Sequence, residues 1–146
     1  EHKLRIVSAL QRQGQIVAGF IYNPAMDELY TAERGSGAFL NDRRLRVAGR
    51  KTLTDCVIAT GVPHLGRPEH GSFLIELRNV MAEVSGVRRL GSPALDLAYV
   101  AAGRFDGFWE TAIRIWDIAA GIVLIREAGG FITNQRALLK QLKLPV

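Results

Sequence analysis

The feature that most constrains the fold is an apolar segment near the C-terminal end of the sequence. Residues 118–128 are almost all apolar, they follow Asp117, and Gly129 and Gly130 end them. The pattern predicts a helix that is apolar on nearly all sides and is therefore buried on opposite faces. Gly121 inside it costs about 1 kcal/mol relative to alanine, so it predicts close packing against a neighbour. Such a helix needs a structural layer on each side.

The first third of the sequence predicts antiparallel β-structure. Residues 16–22 and 28–33 are rich in branched and aromatic side chains, and Asn23-Pro24 breaks the run between them. The glycines of residues 35–37 permit a tight bend before residues 38–40. A meander of adjacent strands is the simplest arrangement.

Strand and helix patterns alternate in the middle of the sequence. A helix over residues 69–84 is expected to bury one face, formed by Phe73, Leu74, Leu77, Val80, Met81 and Val84. Ser92 and Pro93 suit the N-cap and first position of another helix, which runs to about residue 102. Extended segments are predicted at residues 56–61, 87–90 and 106–110. The order predicts a layered α/β or α+β fold.

Composition places the chain in a broad class. Its 146 residues fit a single domain, with 48% hydrophobic and 23% charged residues. Apolar runs fall short of the about 20 residues that cross a bilayer, so no membrane span is expected. The N-terminus lacks the apolar core of a secretory signal. Cys56 is the single cysteine and is interpreted as a small core residue, so a reducing cytoplasm is the expected compartment.

The net charge of +5 raises the question of nucleic-acid binding. The basic residues are scattered, with short pairs at Arg43-Arg44 and Arg88-Arg89. Aromatic residues do not alternate with them as a base-stacking surface requires. A solvated basic surface is therefore preferred, and nucleic acid is not an expected partner.

Candidate site residues lie where predicted strands and helices meet. Asp117 stands at a helix N-terminus, where free N–H groups and the helix dipole favour anions. Its carboxylate could hold a divalent cation, or it could cap the helix. Glu110 ends a strand and Gly91-Ser92 forms a turn, and each also has a structural reading, as a solvated strand end and a helix cap.

Several ordered motifs resemble those of the inositol monophosphatase family. The resemblance extends from about Val7 to Phe131 and therefore covers most of the chain. It is carried by Gly19–Pro24, Glu28–Gly35, Gly91–Leu97, Val100–Glu110, Trp116–Gly121 and Arg126–Gly130.

The resemblance implies roles for individual residues. Asp117 would be a ligand of a catalytic Mg²⁺ and lie close to the phosphate ester of the substrate. Gly91, Ser92 and Pro93 would line the substrate, and Glu110 would hydrogen-bond one of its hydroxyls. Pro93 departs from the small residue, usually alanine, that the family has there. Since proline has no N–H, a backbone hydrogen bond from Pro93 to substrate is not available.

The resemblance also implies a fold, cofactors and a partner. The fold is a layered αβαβα sandwich of the sugar-phosphatase type, which residues 1–146 would form incompletely as one domain. The family's Glu-Glu and Asp-Pro-x-Asp-Gly-Thr motifs, which carry the other metal ligands and the water-activating residues, do not occur in this sequence. No catalytic residue is therefore assigned here, and the chain alone is expected to be inactive. Two or three Mg²⁺ ions, inhibition by Li⁺ and a homodimer are implied.

The two ends of the sequence depart from the family pattern. Glu1–Arg5 leads abruptly into Ile6, and Thr133 runs directly into Asn134 where the family has more loop and strand. We hypothesise that segments of a longer chain are omitted near residues 5–6 and 133–134. The spacing of His2, His64 and His70 matches no metal site.

The functional expectation is Mg²⁺-dependent hydrolysis of inositol monophosphate or a similar small polyol phosphate. Three other phosphatases of the superfamily stay open: nucleotide 3′-phosphatase, fructose-1,6-bisphosphatase and histidinol-phosphatase. A non-catalytic relative that binds RNA or the transcription machinery is the alternative from a different class.

Overall fold

The computed structural model describes residues 5–63 and 66–134 as eight strands and three α-helices. The strands are β1 (Ile6–Arg12), β2 (Gln15–Asn23), β3 (Glu28–Glu33), β4 (Gly37–Leu40), β5 (Arg43–Arg44), β6 (Val57–Thr60), β7 (Gly86–Arg88) and β8 (Gly107–Trp109). The helices are α1 (His70–Glu83), α2 (Pro93–Ala101) and α3 (Ile115–Glu127). None of these helices is long and apolar enough to cross a membrane.

The first five strands form an antiparallel meander in sequence order. The predicted strands over residues 16–22 and 28–33 are confirmed as β2 and β3. The sequence patterns did not predict β1, which pairs with β2 through a two-residue turn at Gln13 and Gly14, where φ is 50° and 77°. Turns of this length with two positive φ values match the twist of an antiparallel pair.

The last three strands form a parallel sheet in the order β7-β6-β8. Helix α1 connects β6 to β7, and α2 connects β7 to β8. Parallel neighbours need such crossover helices, which cover the faces of the sheet. The extended segments predicted near residues 56–61, 87–90 and 106–110 are thus confirmed as one sheet.

Helix α3 lies between the first sheet and α2. Residues 120–125 are all buried, so the predicted burial on opposite faces is confirmed. On the sheet side, a Cβ atom on Gly19 would come 2.8 Å from Ala120 Cα. On the other side, a Cβ atom on Gly121 would come 2.5 Å from Leu97 Cδ1, which confirms the close packing predicted at Gly121. Glycine on both sides therefore allows the close approach.

Two hydrophobic cores lie between the layers and hold them together. One core joins the first sheet to α2 and α3, and the other joins the parallel sheet to α1. The order sheet, helix pair, sheet, helix gives four layers of the expected αβαβα sandwich. The outer face of the first sheet exposes apolar side chains, namely Ile6, Leu10, Phe20 and Leu29.

A charged network ties the first sheet to the end of α2. Arg104 Nη2 lies 2.5 Å from Glu28 Oε1, and Arg104 Nη1 donates to Tyr30 Oη at 3.0 Å. Tyr30 Oη in turn donates to Glu28 Oε2 at 2.8 Å. The Arg104 guanidinium lowers the pKa of Glu28, while burial and Glu28 raise the pKa of Tyr30. Each buried polar group in the network thus has a partner.

Two sequence predictions need correction, one is confirmed, and two histidines lie outside the described residues. Helix α3 begins at Ile115, so Asp117 is in its first turn rather than before it. In α1, Phe73 and Val80 are buried, but Leu74 and Met81 are 49% and 60% exposed, because α1 has the parallel sheet on one side only. Cys56 is buried in the core beneath α1, as predicted. His2 and His64 lie outside the described residues.

Replacing Gly19 by alanine tests the close approach of α3 to the first sheet. The added methyl group cannot fit beside Ala120, so the helix must shift, and overpacking of this kind costs about 1–3 kcal/mol. Gly49→Ala is the matched control, since nothing lies within 4 Å of its Cβ position. Urea unfolding of both variants measures the difference in the free energy of unfolding. Equal stability of the two variants would contradict the packing described here.

Candidate active site

The candidate site lies at the carboxyl edge of the parallel sheet. Gly61 follows β6, Glu110 follows β8, and Gly91 comes shortly after β7. Because parallel strands end at the same edge, these residues converge there, with Gly61 on the central strand. Ligands of open α/β sheets bind in the crevice outside this edge. The fold therefore brings the predicted residues Gly91 and Glu110 to the same edge.

The turn before α2 has a structural role that is visible in the geometry. Gly91 adopts a φ of 76°, which favours glycine, and Ser92 is the fully buried N-cap residue. The Ser92 hydroxyl accepts a hydrogen bond from Leu95 N at 3.4 Å, and Pro93 occupies the first turn. The predicted cap is confirmed. Contact of Gly91, Ser92 and Pro93 with substrate stays a prediction.

The carboxylate of Glu110 lies against Gly61 and is half-buried. Burial raises the pKa of Glu110, and the nearby negative charge of Asp117 raises this pKa further. The positive charge of Arg89 lowers it. Glu110 is therefore not a solvated strand end: it is close enough to Asp117 and Arg89 to feel both charges.

Asp117 lies in the first turn of α3 and is partly buried. Arg114 occupies the N-cap position, so Asp117 is not the N-cap residue. Its carboxylate still lies near the positive end of the helix dipole, where anionic groups are stabilised. Trp116 beside it is 69% exposed, and the Arg114 guanidinium carbon lies 5.7 Å from the centre of its ring.

Mg²⁺ binding by Asp117 stays a prediction, which the chemistry of the described residues fits only in part. Asp117 and Glu110 supply carboxylate oxygens, which are the ligands that Mg²⁺ prefers. Within residues 5–63 and 66–134, however, no three His, Cys, Asp or Glu side chains gather as a metal-binding group. The chemistry of the two carboxylates fits the ion, but they do not complete its coordination.

A cavity of about 380 Å³ lies next to β8 and shares one residue, Glu110, with the candidate site. Its lining is mainly apolar and includes Phe108, Ile122 and Phe131. Glu110 borders it, whereas Asp117, Gly91 and Ser92 do not. Its other two charged lining residues, Arg50 and Asp106, pair with each other, so the cavity offers no predicted metal ligand to a phosphate ester.

The relationship to known proteins agrees with this geometry. The sequence pattern of the group described as "Inositol monophosphatase family" matches residues 6–138. The chain belongs to the inositol monophosphatase family. It is similar to an inositol-1-monophosphatase of Mesorhizobium japonicum, with 68% identity over 94% of this chain and 59% of that protein.

Structural and further sequence relatives support the same family. The crystal structure of the extragenic suppressor protein suhB from Bartonella henselae matches with a TM-score of 0.86 and 70% identity, over 89% of this chain and 50% of that chain. A Nus factor SuhB of Pseudomonas aeruginosa is 42% identical over 86% of this chain and 47% of that protein. The chain thus spans about half the length of the curated relatives it matches. The family's sugar-phosphatase fold, expected from the sequence motifs, is confirmed.

The sequence patterns missed Gly61 and Arg89 as residues near the site. The available signal was positional: Gly61 is the last residue of a predicted strand, as Glu110 is. The pairing order of the strands, which shows that Gly61 and Glu110 are neighbours, could not be derived from one sequence.

Glu110→Gln tests the electrostatics of the site through stability. A raised folded-state pKa means that ionised Glu110 destabilises the fold, by an amount that grows as pH rises from about 4.3 through that pKa. The variant should therefore be more stable than the parent at pH 7 in EDTA, and the gain should vanish below about pH 4. Thermal unfolding across this pH range measures it, with Glu83→Gln, an exposed carboxyl in α1, as control. A loss of stability at pH 7 would contradict the burial and charge argument.

Proposed function

We propose that the protein catalyses Mg²⁺-dependent hydrolysis of inositol monophosphate, or of a similar small polyol phosphate, to the polyol and phosphate. The observation that carries the proposal is the convergence of Glu110, Gly91 and Ser92 at the carboxyl edge of the parallel sheet. The effect of the Asp117 charge on the pKa of Glu110 supports it. The proposal draws further support from a family relative of 68% identity that is called inositol-1-monophosphatase.

Asp117 and Glu110 divide the work in this proposal. Asp117 holds a Mg²⁺ ion with its carboxylate, at a helix N-terminus that also favours the phosphate group. Mg²⁺, when bound, neutralises charge on the phosphoryl oxygens and lowers the pKa of a bound water. Glu110 accepts a hydrogen bond from a substrate hydroxyl, which orients the alcohol part of the ester.

The turn at residues 91–93 completes the substrate side of the site. Gly91 has no side chain, so a substrate can approach its backbone closely. Ser92 offers only limited bonding, because its hydroxyl oxygen already accepts a hydrogen bond from Leu95 N. Pro93 has no N–H to donate. Recognition of hydroxyls therefore rests mainly on Glu110.

The rest of the metal site is proposed to belong to the part of the full-length relatives that this chain does not cover. Two or three Mg²⁺ ions would then bind, and Li⁺ would inhibit. Residues 1–146 alone would show no appreciable hydrolysis. We also propose that the protein forms a homodimer. We propose the cytoplasm as its compartment, because a single cysteine suits a reducing environment.

The choice among phosphatases of the superfamily depends on the substrate's alcohol part. A buried carboxylate penalises esters that leave it without a hydroxyl partner. Glu110 therefore favours esters with a free hydroxyl on the alcohol part over histidinol phosphate, which has none. Fructose bisphosphate and ribonucleotide 3′-phosphates also carry hydroxyls, so measured rates must separate them from a polyol monophosphate. Rates of phosphate release from a panel of these esters decide the matter, and faster turnover of a nucleotide would overturn the choice.

Asp117→Asn tests the metal role in a full-length protein that contains this chain. Loss of a direct ligand should reduce Mg²⁺-dependent kcat by more than about 100-fold, since even indirect partners of a metal contribute 10–100-fold. EDTA should abolish activity in the parent. Asp55→Asn, an exposed aspartate outside the site, is the matched control. Retention of full activity by Asp117→Asn would remove it from the metal site.

A second candidate function is binding of RNA, which a specific comparison favours. The relative in Pseudomonas aeruginosa is called a Nus factor. Exposed basic side chains follow β4 in this chain, at Arg43, Arg44, Arg46 and Lys51. If they neutralise RNA phosphates, affinity should fall steeply with salt, by a slope of about −0.7 per phosphate contact on a log–log plot. A flat salt response would exclude this function for the basic segment.

A further inference from the structure

We propose that Gly61 is a positioning residue that gives Glu110 its place in the site and thereby makes the enzyme selective for esters that carry a hydroxyl. This inference rests on the proposed function, in which Glu110 accepts a hydrogen bond from substrate. Gly61 itself touches no reacting atom, and it acts through the Glu110 carboxylate.

The two residues are neighbours on adjacent parallel strands. Thr60 on β6 is paired with Trp109 on β8, so the next residues, Gly61 and Glu110, leave the sheet side by side. Thr60 Oγ1 donates to Trp109 O at 3.0 Å, and Gly61 N donates to the same oxygen at 3.4 Å. These bonds fix the backbone of both residues relative to each other.

The space that Gly61 leaves open is filled by the carboxylate of Glu110. A Cβ atom on Gly61 would overlap the carboxyl carbon and both oxygens of Glu110. The φ angle of Gly61 lies outside the left-handed region, so the backbone accepts any residue here. The reason for glycine is therefore the room for the carboxylate, and any side chain at this position must move it.

The position of the carboxylate determines what it can recognise. At its place over Gly61, Glu110 lies at the carboxyl edge of the parallel sheet, which Gly91 also reaches, and β8 is followed there by α3 with Asp117 in its first turn. It thus lies close to the proposed metal ligand, where a hydroxyl near the phosphate ester would point. A displaced Glu110 would leave that hydroxyl without its acceptor, but it would not alter Asp117.

Kinetics of a full-length protein that contains this chain test the inference, with Gly61→Ala as the variant. The two substrates are inositol 1-phosphate and 4-nitrophenyl phosphate, which has no alcohol hydroxyl. Loss of a hydrogen bond to a charged group should lower kcat/KM by a factor of about 10 to 100. That loss, mostly in KM, is expected for inositol 1-phosphate, with less than about a two-fold change for 4-nitrophenyl phosphate.

Two further variants separate positioning from general damage. Gly49→Ala, with open space around its Cβ position, should leave both substrates unaffected. In a Glu110→Ala background, Gly61→Ala should cause no further loss, because the two changes act through one group. Equal losses on both substrates, or additive losses in the double variant, would overturn the inference.

A crystal structure of the Gly61→Ala variant separates failure of this inference from failure of the proposed function. If the parent hydrolyses neither ester with Mg²⁺, the proposed function is wrong, but the structure still decides the geometric claim. A Glu110 carboxylate displaced from its place over residue 61 supports the positioning role. A carboxylate in the parent position contradicts it.

Discussion

The packing of α3 between the first sheet and α2 is the constraint on which the rest of the structure depends. A helix that buries residues 120–125 on consecutive positions has no face left for solvent along that stretch. Gly19 on the sheet and Gly121 on the helix remove the side chains that would hold the layers apart. The C-terminal end is held as well, because Glu127 accepts hydrogen bonds from Gly35 N and Gly37 N at 3.0 and 2.9 Å. With its middle and end fixed, the first turn of α3 has a defined place, and Asp117 is on it.

The site depends on the parallel sheet in the same way. The order β7-β6-β8 brings together three strand ends that helices α1 and α2 separate in sequence. Hydrogen bonds from Thr60 Oγ1 and Gly61 N to Trp109 O hold β6 and β8 in register. Glu110 can then enter a place that is only partly solvated, where burial, and after it the negative charge of Asp117, raise its pKa, so that ionising Glu110 there costs free energy. A bound cation would offset that cost, which is consistent with a metal-dependent function.

Much of this could be predicted from the sequence because the signals are local. The apolar run before Gly129 predicts a buried helix, Ser92-Pro93 predicts a helix start, and the branched residues of β2 predict a strand. Other features depend on long-range contacts. Leu74 and Met81 follow the helical period but are exposed. The period predicts which side of α1 is covered, but it does not predict how wide the covered face is. Gly61 carries only the local signal of its place at the end of a predicted strand: its contact with the Glu110 carboxylate depends on strand pairing between segments that are distant in sequence.

The central claim is that Asp117 and Glu110 form the two sides of one site, one toward the metal and one toward the substrate alcohol. The most direct test is a crystal structure of a full-length protein containing this chain, grown with Mn²⁺ in place of Mg²⁺ and with inositol monophosphate, with Mn²⁺ located by its anomalous scattering. We expect Mn²⁺ bound directly to an Asp117 oxygen and a substrate hydroxyl within hydrogen-bond distance of Glu110. Mn²⁺ bound without Asp117, or substrate bound away from Glu110, would contradict it.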